Sequence, residues 1–268
     1  MHRPRRRAIL GHVKNTQRGE LAVCGLESVR ALAAVRPDAI RRFFYTEDRS
    51  REFGGLCQRL AELRRPYRLV GPDELERLSG TSHHQGVVAM MGDEPPKAVD
   101  DALAALWARS GARIVVLDRV GDDHNLGSIA RSAAFFGWEA LVIGRDDGAA
   151  RLTTSAYRVA RGALEYLPVY ADDSAARLVA RIAAVVARGE PAMPTIGADH
   201  RSTKTIRNYG GLKGAIALVL GNEEKGLSSA VRSACSELVR IDGAGAIESL
   251  NVSQAAAVFL YELAPGRR

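Results

Sequence analysis

RIVVLDRVGDDHNLGSIARSAAFFG, residues 113–137, decides how the chain folds. Its first five residues form a short apolar run without polar alternation, the mark of a strand covered on both faces in a parallel sheet. A polar turn containing Gly121 follows, and from 126 to 136 apolar residues return at helical spacing. Further strands are expected at 140–143 (ALVI), 166–169, 193–197, 215–220 (AIALVL) and 238–241 (LVRI), with helices at 174–188, 227–233 and 250–263. Strands alternating with helices in this way predict an α/β domain with a parallel sheet between two helix layers. Upstream the alternation recurs on a smaller scale: helix 25–35 (GLESVRALAAV), strand 40–45 (IRRFFY), helix 51–64, strand 67–70, helix 72–78 and strand 87–91 (VVAMM). Between the two lies DEPPKAVD (93–100), polar and with adjacent prolines, which interrupts both patterns. The chain thus divides into a basic tail (1–18), a small α/β sandwich (19–92), a linker (93–110) and a larger α/β domain (111–268).

At 268 residues, with 46% hydrophobic and 26% charged residues, the chain has the balance of a globular protein that needs neither disulfides nor a structural metal. The formal net charge is +7, of which +5 falls on residues 1–100, so an anionic partner is expected to meet the first third. Arg outnumbers Lys 33 to 5; the skew suits bidentate phosphate contacts and equally fits a bias in genome composition. No apolar run approaches the length of a membrane span. MHRPRRRAIL has no apolar stretch behind its basic residues, so no secretory signal is expected. Cys24, Cys57 and Cys235 are scattered and odd in number, as expected of reduced thiols in a cytoplasmic protein.

Three stretches of the larger domain carry more than packing. In DRVGDDHNLGSIARSAAFFG (118–137), Asn125 stands where a helix N-cap belongs, and Arg131 lies six residues on. Both are expected to face the strand ends where open sheets bind ligands; a capped helix with a solvent-facing arginine fits the same residues. In VLGNEEKGLS (219–228) a buried strand ends in Gly-Asn-Glu, and Gly221 and Gly226 flank a turn able to cradle a ligand through backbone N–H groups. It has neither the G-x-G-x-x-G of dinucleotide domains nor the G-K-[ST] ending of a P-loop. Glu223 there favours a cationic ligand over phosphate, although exposed turn carboxylates are common. In RIDGAGAIESLNVSQAAAVFLYELA (240–264) a glycine-rich loop leads through Glu248, Ser249 and Asn251 into an alanine-rich helix that Ser249 or Asn251 would cap.

In this order, N-L-G-x-x-x-R-x-A-x-x-F-G (125–137), L-G-x-E-x-x-G-L (220–227) and I-x-x-x-G-x-x-E-S-L-N-V-S (241–253) resemble the motifs of the SpoU/TrmH family of RNA 2′-O-ribose methyltransferases. GLESVRAL (25–32) and GTSHHQGV (80–87) make the small domain similar to the L30e-like substrate domain common in that family. The resemblance implies a SPOUT-type α/β sheet with a C-terminal trefoil knot, preceded by an L30e-like sandwich. It implies S-adenosylmethionine (SAM) as methyl donor, rRNA or tRNA as substrate, and a homodimer packed through the knotted region. The family's SAM contacts fall on Gly221, Ile241 and Leu250, largely through backbone groups. Its catalytic or substrate-positioning residues fall on Asn125, Arg131, Glu223, Ser249 and Asn251. The reaction so implied is an in-line attack of a ribose 2′-oxygen on the sulfonium methyl group, with a proton acceptor needed for the weak nucleophile. An arginine is always protonated, so Arg131 is expected to grip a neighbouring phosphate and orient the hydroxyl, the proton leaving through that phosphate, a water or Glu223.

The chain departs from the family pattern in two places. Asp242-Gly243 stand where Pro-Met is usual, in the loop expected to line SAM, and Ala160-Arg161-Gly162-Ala163 replace Ser-Ala-Gly-Ala. The first departure favours an alternative, an RNA-binding protein that keeps the fold without catalysis; the intact Asn125, Arg131, Glu223 and Asn251 set disfavours it. Tyr157, Arg158 and Arg161 are candidates for RNA stacking. His83 and His84 have no companion ligand cluster, so no metal is expected, and they are read as closing the small domain or meeting RNA.

Overall fold

In the computed structural model, residues 18–264 except 147 and 248 are described. Residues 1–17 of the basic tail, and Glu248, lie outside them. In chain order the elements are β1 (Glu20–Cys24), α1 (Leu26–Val35), β2 (Ile40–Tyr45), α2 (Gly54–Glu62), β3 (Tyr67–Leu69), α3 (Pro72–Ser79) and β4 (Val87–Gly92). They continue with β5 (Lys97–Ala98), α4 (Asp101–Ser110), β6 (Arg113–Leu117), α5 (Asp123–Phe135), β7 (Ala140–Gly144), α6 (Thr154–Ala160), β8 (Val169–Asp172) and α7 (Ala175–Ala187). The last are β9 (Thr195–Ala198), β10 (Ile216–Leu220), α8 (Ser229–Ala234), β11 (Glu237–Val239) and α9 (Val252–Glu262).

The chain forms two compact units, one holding the residues up to Pro95 together with Leu152–Tyr166. Its four-stranded sheet has the order β1-β4-β2-β3; β4 runs antiparallel to both neighbours and β3 runs parallel to β2. All six residues of β4 are buried, as a central strand of apolar residues should be. Strand β1 is an addition to the sequence reading. ELAVC runs into the apolar pattern of α1, and only Gly25, at φ 91°, breaks the two apart.

The second addition is α6 with the turn that follows it, which the sequence order assigns to the larger domain. Ser28 Oγ donates to the Tyr157 carbonyl at 2.7 Å, and Arg36 donates to both oxygens of Glu165 at 2.7 and 3.1 Å. The Glu165 side chain is only 1% exposed, so it sits buried against its guanidinium partner. A Cβ on Gly162 would lie 2.7 Å from Ala31 Cβ, so the glycine is what lets this segment reach α1. Tyr157 is buried here and offers no ring face for RNA, which corrects the stacking expectation for that residue.

The other unit holds Pro96–Arg151 and the residues from Leu167 onward. Its seven strands pair in the order β11-β9-β10-β6-β7-β8-β5, every pair parallel. The expected parallel α/β sheet is therefore present. Ile114, Val116, Val142, Ala217 and Val219 face one side and pack with Trp107 of α4, Leu178 and Ile182 of α7 and Val231 of α8. Their alternates, Val115, Leu117, Leu141 and Leu218, point to the opposite face. There α5 and α9 pack on each other. Arg113, buried at the start of β6, donates to the carbonyls of Leu263 and Leu212, and Trp138 Nε1 donates to the Leu260 carbonyl at 3.1 Å. The bonds to Leu260 and Leu263 satisfy carbonyls that the end of α9 leaves open.

Two boundaries differ from expectation. The segment 93–110 is not all linker: β5 joins β8, and Asp100 caps α4 by accepting from Leu103 N at 2.8 Å. The strand expected at 166–169 lies at Val169–Asp172, because Pro168 has no N–H to give; its carbonyl instead accepts from Leu141 N at 3.0 Å.

Candidate active site at the ends of β6 and β10

Leu117 and Leu220 are paired at the C-terminal ends of the adjacent central strands β6 and β10. Asp118 N extends that pairing by donating to the Leu220 carbonyl at 2.8 Å. Two turns therefore leave the sheet side by side, 118–122 and 221–228, at the edge where open α/β sheets bind ligands.

The second turn closes on itself. Asn222 N donates to the Gly226 carbonyl at 3.1 Å and Gly226 N returns the bond at 2.9 Å. A Cβ on Gly221 would stand 2.4 Å from the Gly226 carbon and from Leu227 N, so no other residue fits there without moving the turn. Asn222 Oδ1 accepts from Glu224 N and Lys225 N, while its Nδ2 donates to the Arg119 carbonyl at 3.0 Å and to Glu223 Oε2 at 3.3 Å. Asn125 Nδ2 donates to the other oxygen, Glu223 Oε1, at 2.7 Å. Glu223 is thereby held between two amides, one from each turn region. Two amides orient a carboxylate without neutralising it, and leave its charge for a ligand.

Asn125 reaches Glu223 because it is not the N-cap. Asp122 caps α5, its carboxylate accepting from His124 N at 2.8 Å, and Asn125 lies inside the first turn at 8% exposure. The cap expectation for Asn125 is corrected: two aspartates precede it, and the first takes that place. Arg131, six residues on, is turned about 240° around the helix from Asn125. It is exposed and makes no hydrogen bond or ion pair with another described residue, so the two do not share a face as expected.

Asn251 does cap α9, accepting from Ser253 N at 2.9 Å and Ser253 Oγ at 2.7 Å. Ser249 and Leu250 are exposed and Ile241 is half-buried. No backbone–backbone hydrogen bond among the described residues engages 241–247, so the N–H and C=O groups of this loop are uncommitted to the backbone. Asp242, the departure from Pro-Met, anchors the loop's entrance. It accepts from Thr205 Oγ1 and from Arg240 Nε at 3.2 Å, and these bonds, Thr205 first, hold its carboxyl below the usual aspartate range.

Sequence reasoning missed Asp118, Arg119 and Asn222. Asp118 is buried, with its Oδ2 accepting from Ser228 N at 2.6 Å. The available signal was positional: a polar residue directly after a buried strand, and the middle residue of Gly-Asn-Glu. In the small unit, His84 Nδ1 accepts from Gly86 N at 3.1 Å, and burial lowers its pKa. It closes a turn. Among the described residues no group of three or more His, Cys, Asp or Glu is placed to hold a metal ion, and no helix is long and apolar enough to cross a membrane.

Comparison with known proteins identifies the family. Residues 112–261 match the SpoU rRNA Methylase family, and residues 22–95 match the RNA 2′-O ribose methyltransferase substrate-binding domain. The 23S rRNA (guanosine-2′-O-)-methyltransferase RlmB of Acinetobacter baylyi is 33% identical over 89% of this chain and 94% of its own length. The RlmB of Haemophilus ducreyi is 30% identical over 90% and 96%. The crystal structure of the SpoU methyltransferase AviRb from Streptomyces viridochromogenes in complex with AdoMet is 29% identical, with TM-score 0.74 over 96% of this chain and 94% of that one. The parallel sheet, the motif residues at its C-terminal edge and these matches together make the chain a member of the SpoU family of SAM-dependent RNA ribose 2′-O-methyltransferases, preceded by a substrate-binding domain.

Proposed function

We propose that the chain methylates a ribose 2′-hydroxyl of ribosomal RNA at the ends of β6 and β10. The carrying observation is the Asn125–Glu223 bond of 2.7 Å, which fixes a carboxylate beside a turn too tight for a Cβ at Gly221. Ribosomal RNA is favoured over tRNA because the relatives matched over nine-tenths of the chain are named for 23S rRNA.

The donor set suits SAM. Gly221, Ile241 and Leu250 would hold it through backbone groups, and the 241–247 loop has those groups uncommitted. SAM bound there supplies a methyl group activated by its sulfonium. Glu223 sets a negative charge at the site and is placed to take the proton of the ribose hydroxyl, directly or through a water. Asn125 fixes the direction in which Glu223 points. Ser249 Oγ and the Asn251 amide nitrogen, which the cap does not use, face outward from the loop to bind RNA.

Arg131 requires a second copy of the chain. Phe135, one helical turn from Arg131, is 82% exposed, and Tyr261 of the adjoining α9 is 48% exposed. Phe136 links the two rings, in contact with each. An apolar face of this kind is an association surface. A homodimer formed on it carries Arg131 to the interface, where it grips RNA phosphate at the partner's site. The finer fold reading follows the same logic. The small unit is L30e-like, and the chain forms a trefoil knot where it returns from edge strand β11 to α9 beside segment 199–209. Thr205 pairs with Arg240 and α9 packs on residues 206–209, which supports the threading. The free Cys24, Cys57 and Cys235 support a cytoplasmic place of work.

The test uses rRNA from a strain lacking the gene. Wild-type protein with SAM should restore a 2′-O-methyl at one mapped nucleotide. Saturable SAM binding by calorimetry without any restored methyl would favour another RNA substrate. Absence of both would support the RNA-binding alternative. Phe135→Glu should convert the dimer to monomer in light scattering and abolish methylation; an unchanged dimer would remove this face as the interface.

A further inference from the structure

Among the described residues, four other than glycine have positive φ: Arg64 (53°), Gln85 (53°), Arg119 (57°) and Arg161 (49°). Three have a local reason. Arg64 and Arg161 end helices α2 and α6, where a left-handed residue is the usual stop. The Gln85 side chain accepts from Leu26 N at 2.8 Å and so caps α1. Arg119 ends no helix. It leaves the central strand β6 beside the site, in a backbone conformation that a long side chain adopts only under constraint.

The constraint is visible. Asn222 Nδ2 clamps the Arg119 carbonyl at 3.0 Å, and Arg119 Nε donates to Oδ1 of the buried Asp118 at 3.3 Å. The same Asn222 amide bonds Glu223, which Asn125 holds from the other side. Arg119 is thus one hydrogen-bonded residue away from the site's carboxylate. Its side chain is 29% exposed, and its two terminal nitrogens have no partner among the described residues. A cation needed only to balance Asp118 would not require a strained backbone or leave the end of its fork unpaired.

We propose that Arg119 is an RNA-binding residue that grips the phosphate next to the ribose being methylated. This rests on the methyltransferase reading above. A ribose whose 2′-hydroxyl meets Glu223 carries a phosphate on its adjoining 3′-oxygen, so the anion arrives with the substrate at the position Arg119 adjoins. The carboxylate of SAM is the competing anion, but the donor's contacts fall on Gly221, Ile241 and Leu250 rather than on the 118–122 turn. Arg119 differs from Arg131 in acting within its own chain.

The experiment compares wild type, Arg119→Gly and Arg119→Lys for binding to an unmodified 23S rRNA transcript across a salt series, with SAM affinity measured alongside. Glycine suits the φ of this position, so Arg119→Gly should keep its Tm or gain about 2 °C. Its RNA Kd should rise about tenfold, and the slope of log K against log salt should fall by about one phosphate's worth. SAM affinity should stay within about twofold, a ratio far smaller than one lost charge contact produces. Arg119→Lys should fall between the two, having charge without the fork. If removing Asp118's partner lowers the Tm, SAM binding at a lower temperature reports folded protein and the RNA titration is read there. Unchanged RNA affinity and slope in both variants overturns the proposal, as does a loss confined to SAM affinity. Wild-type protein that binds no RNA overturns both this proposal and the reading beneath it, whereas normal wild-type methylation with indifferent Arg119 variants overturns this one alone.

Discussion

The two loops that frame the site are held in opposite ways. In the 221–228 turn the polar groups have partners inside the fold: Asn222 makes four side-chain bonds, Glu223 takes two amides, and Gly221 lies hard under Gly226 and Leu227. Among its described residues the 241–251 loop is anchored near its ends, by Asp242 on Thr205 and Arg240 and by Asn251 on Ser253, and the described residues between are exposed. The first arrangement points a charge before any ligand arrives, the source of electrostatic preorganisation. The second leaves backbone groups to be satisfied by the ligand itself.

If that contrast is right, damage to the rigid turn should strike turnover, and damage to the loop should strike donor binding. Glu223→Ala has the largest expected effect, a fall in kcat of about 10²–10⁴-fold with SAM affinity nearly kept. Single-turnover methylation checks it, and a loss confined to the SAM KM would break the comparison. Next comes Gly221→Ala, which drives a methyl into the Gly226 backbone. It should cost about 1–3 kcal/mol in urea denaturation and lower kcat by turning Glu223 out of line, besides loosening the SAM contact that Gly221 itself makes. A variant as stable as wild type would mean that the turn yields.

Asp242→Asn should be milder. It should raise the SAM KM about fivefold and leave kcat within about twofold. Its pH behaviour sharpens the point. The folded carboxyl sits below the ordinary aspartate value because Thr205 and Arg240 bond the charged form. The anchor is therefore complete above that ordinary value and is lost only as pH falls through the lowered one. Wild-type SAM affinity should be flat from neutrality down to about pH 4 as far as this group is concerned. The asparagine variant should lack the acid-side loss. A wild-type loss centred near pH 6 would assign the effect to another group.

Much of this was legible in the sequence. The central strands showed as apolar runs, and β6 falls at 113–117 as read, because buried parallel strands contain almost nothing but apolar residues. Gly221 and Glu223 were visible as a turn with a charge. Three things were hidden, each for a reason of long range. Asn125 looked like a cap because local rules see only its distance from the helix, whereas its partner Glu223 is 98 residues away. Asn222 and Arg119 gain their meaning from each other across a gap of 103 residues. Helix α6 reads as part of the larger domain by order, and only Gly162, Ser28 and the Glu165–Arg36 pair reveal where it packs.

That last feature bears on how the protein is made. The small unit is not finished at Pro95: its sheet and α1 still lack α6, Glu165 and the closure they provide. A ribosome must add a further stretch, including β6, α5 and β7, before residue 166 appears. The amino-terminal unit therefore cannot complete its folding first, as an ordinary leading domain does during synthesis. It waits, with Arg36 lacking Glu165, while β6 and β7 of the seven-stranded sheet have already been made. A fragment cut at residue 95, however natural it looks on paper, should behave as an unfinished nascent chain.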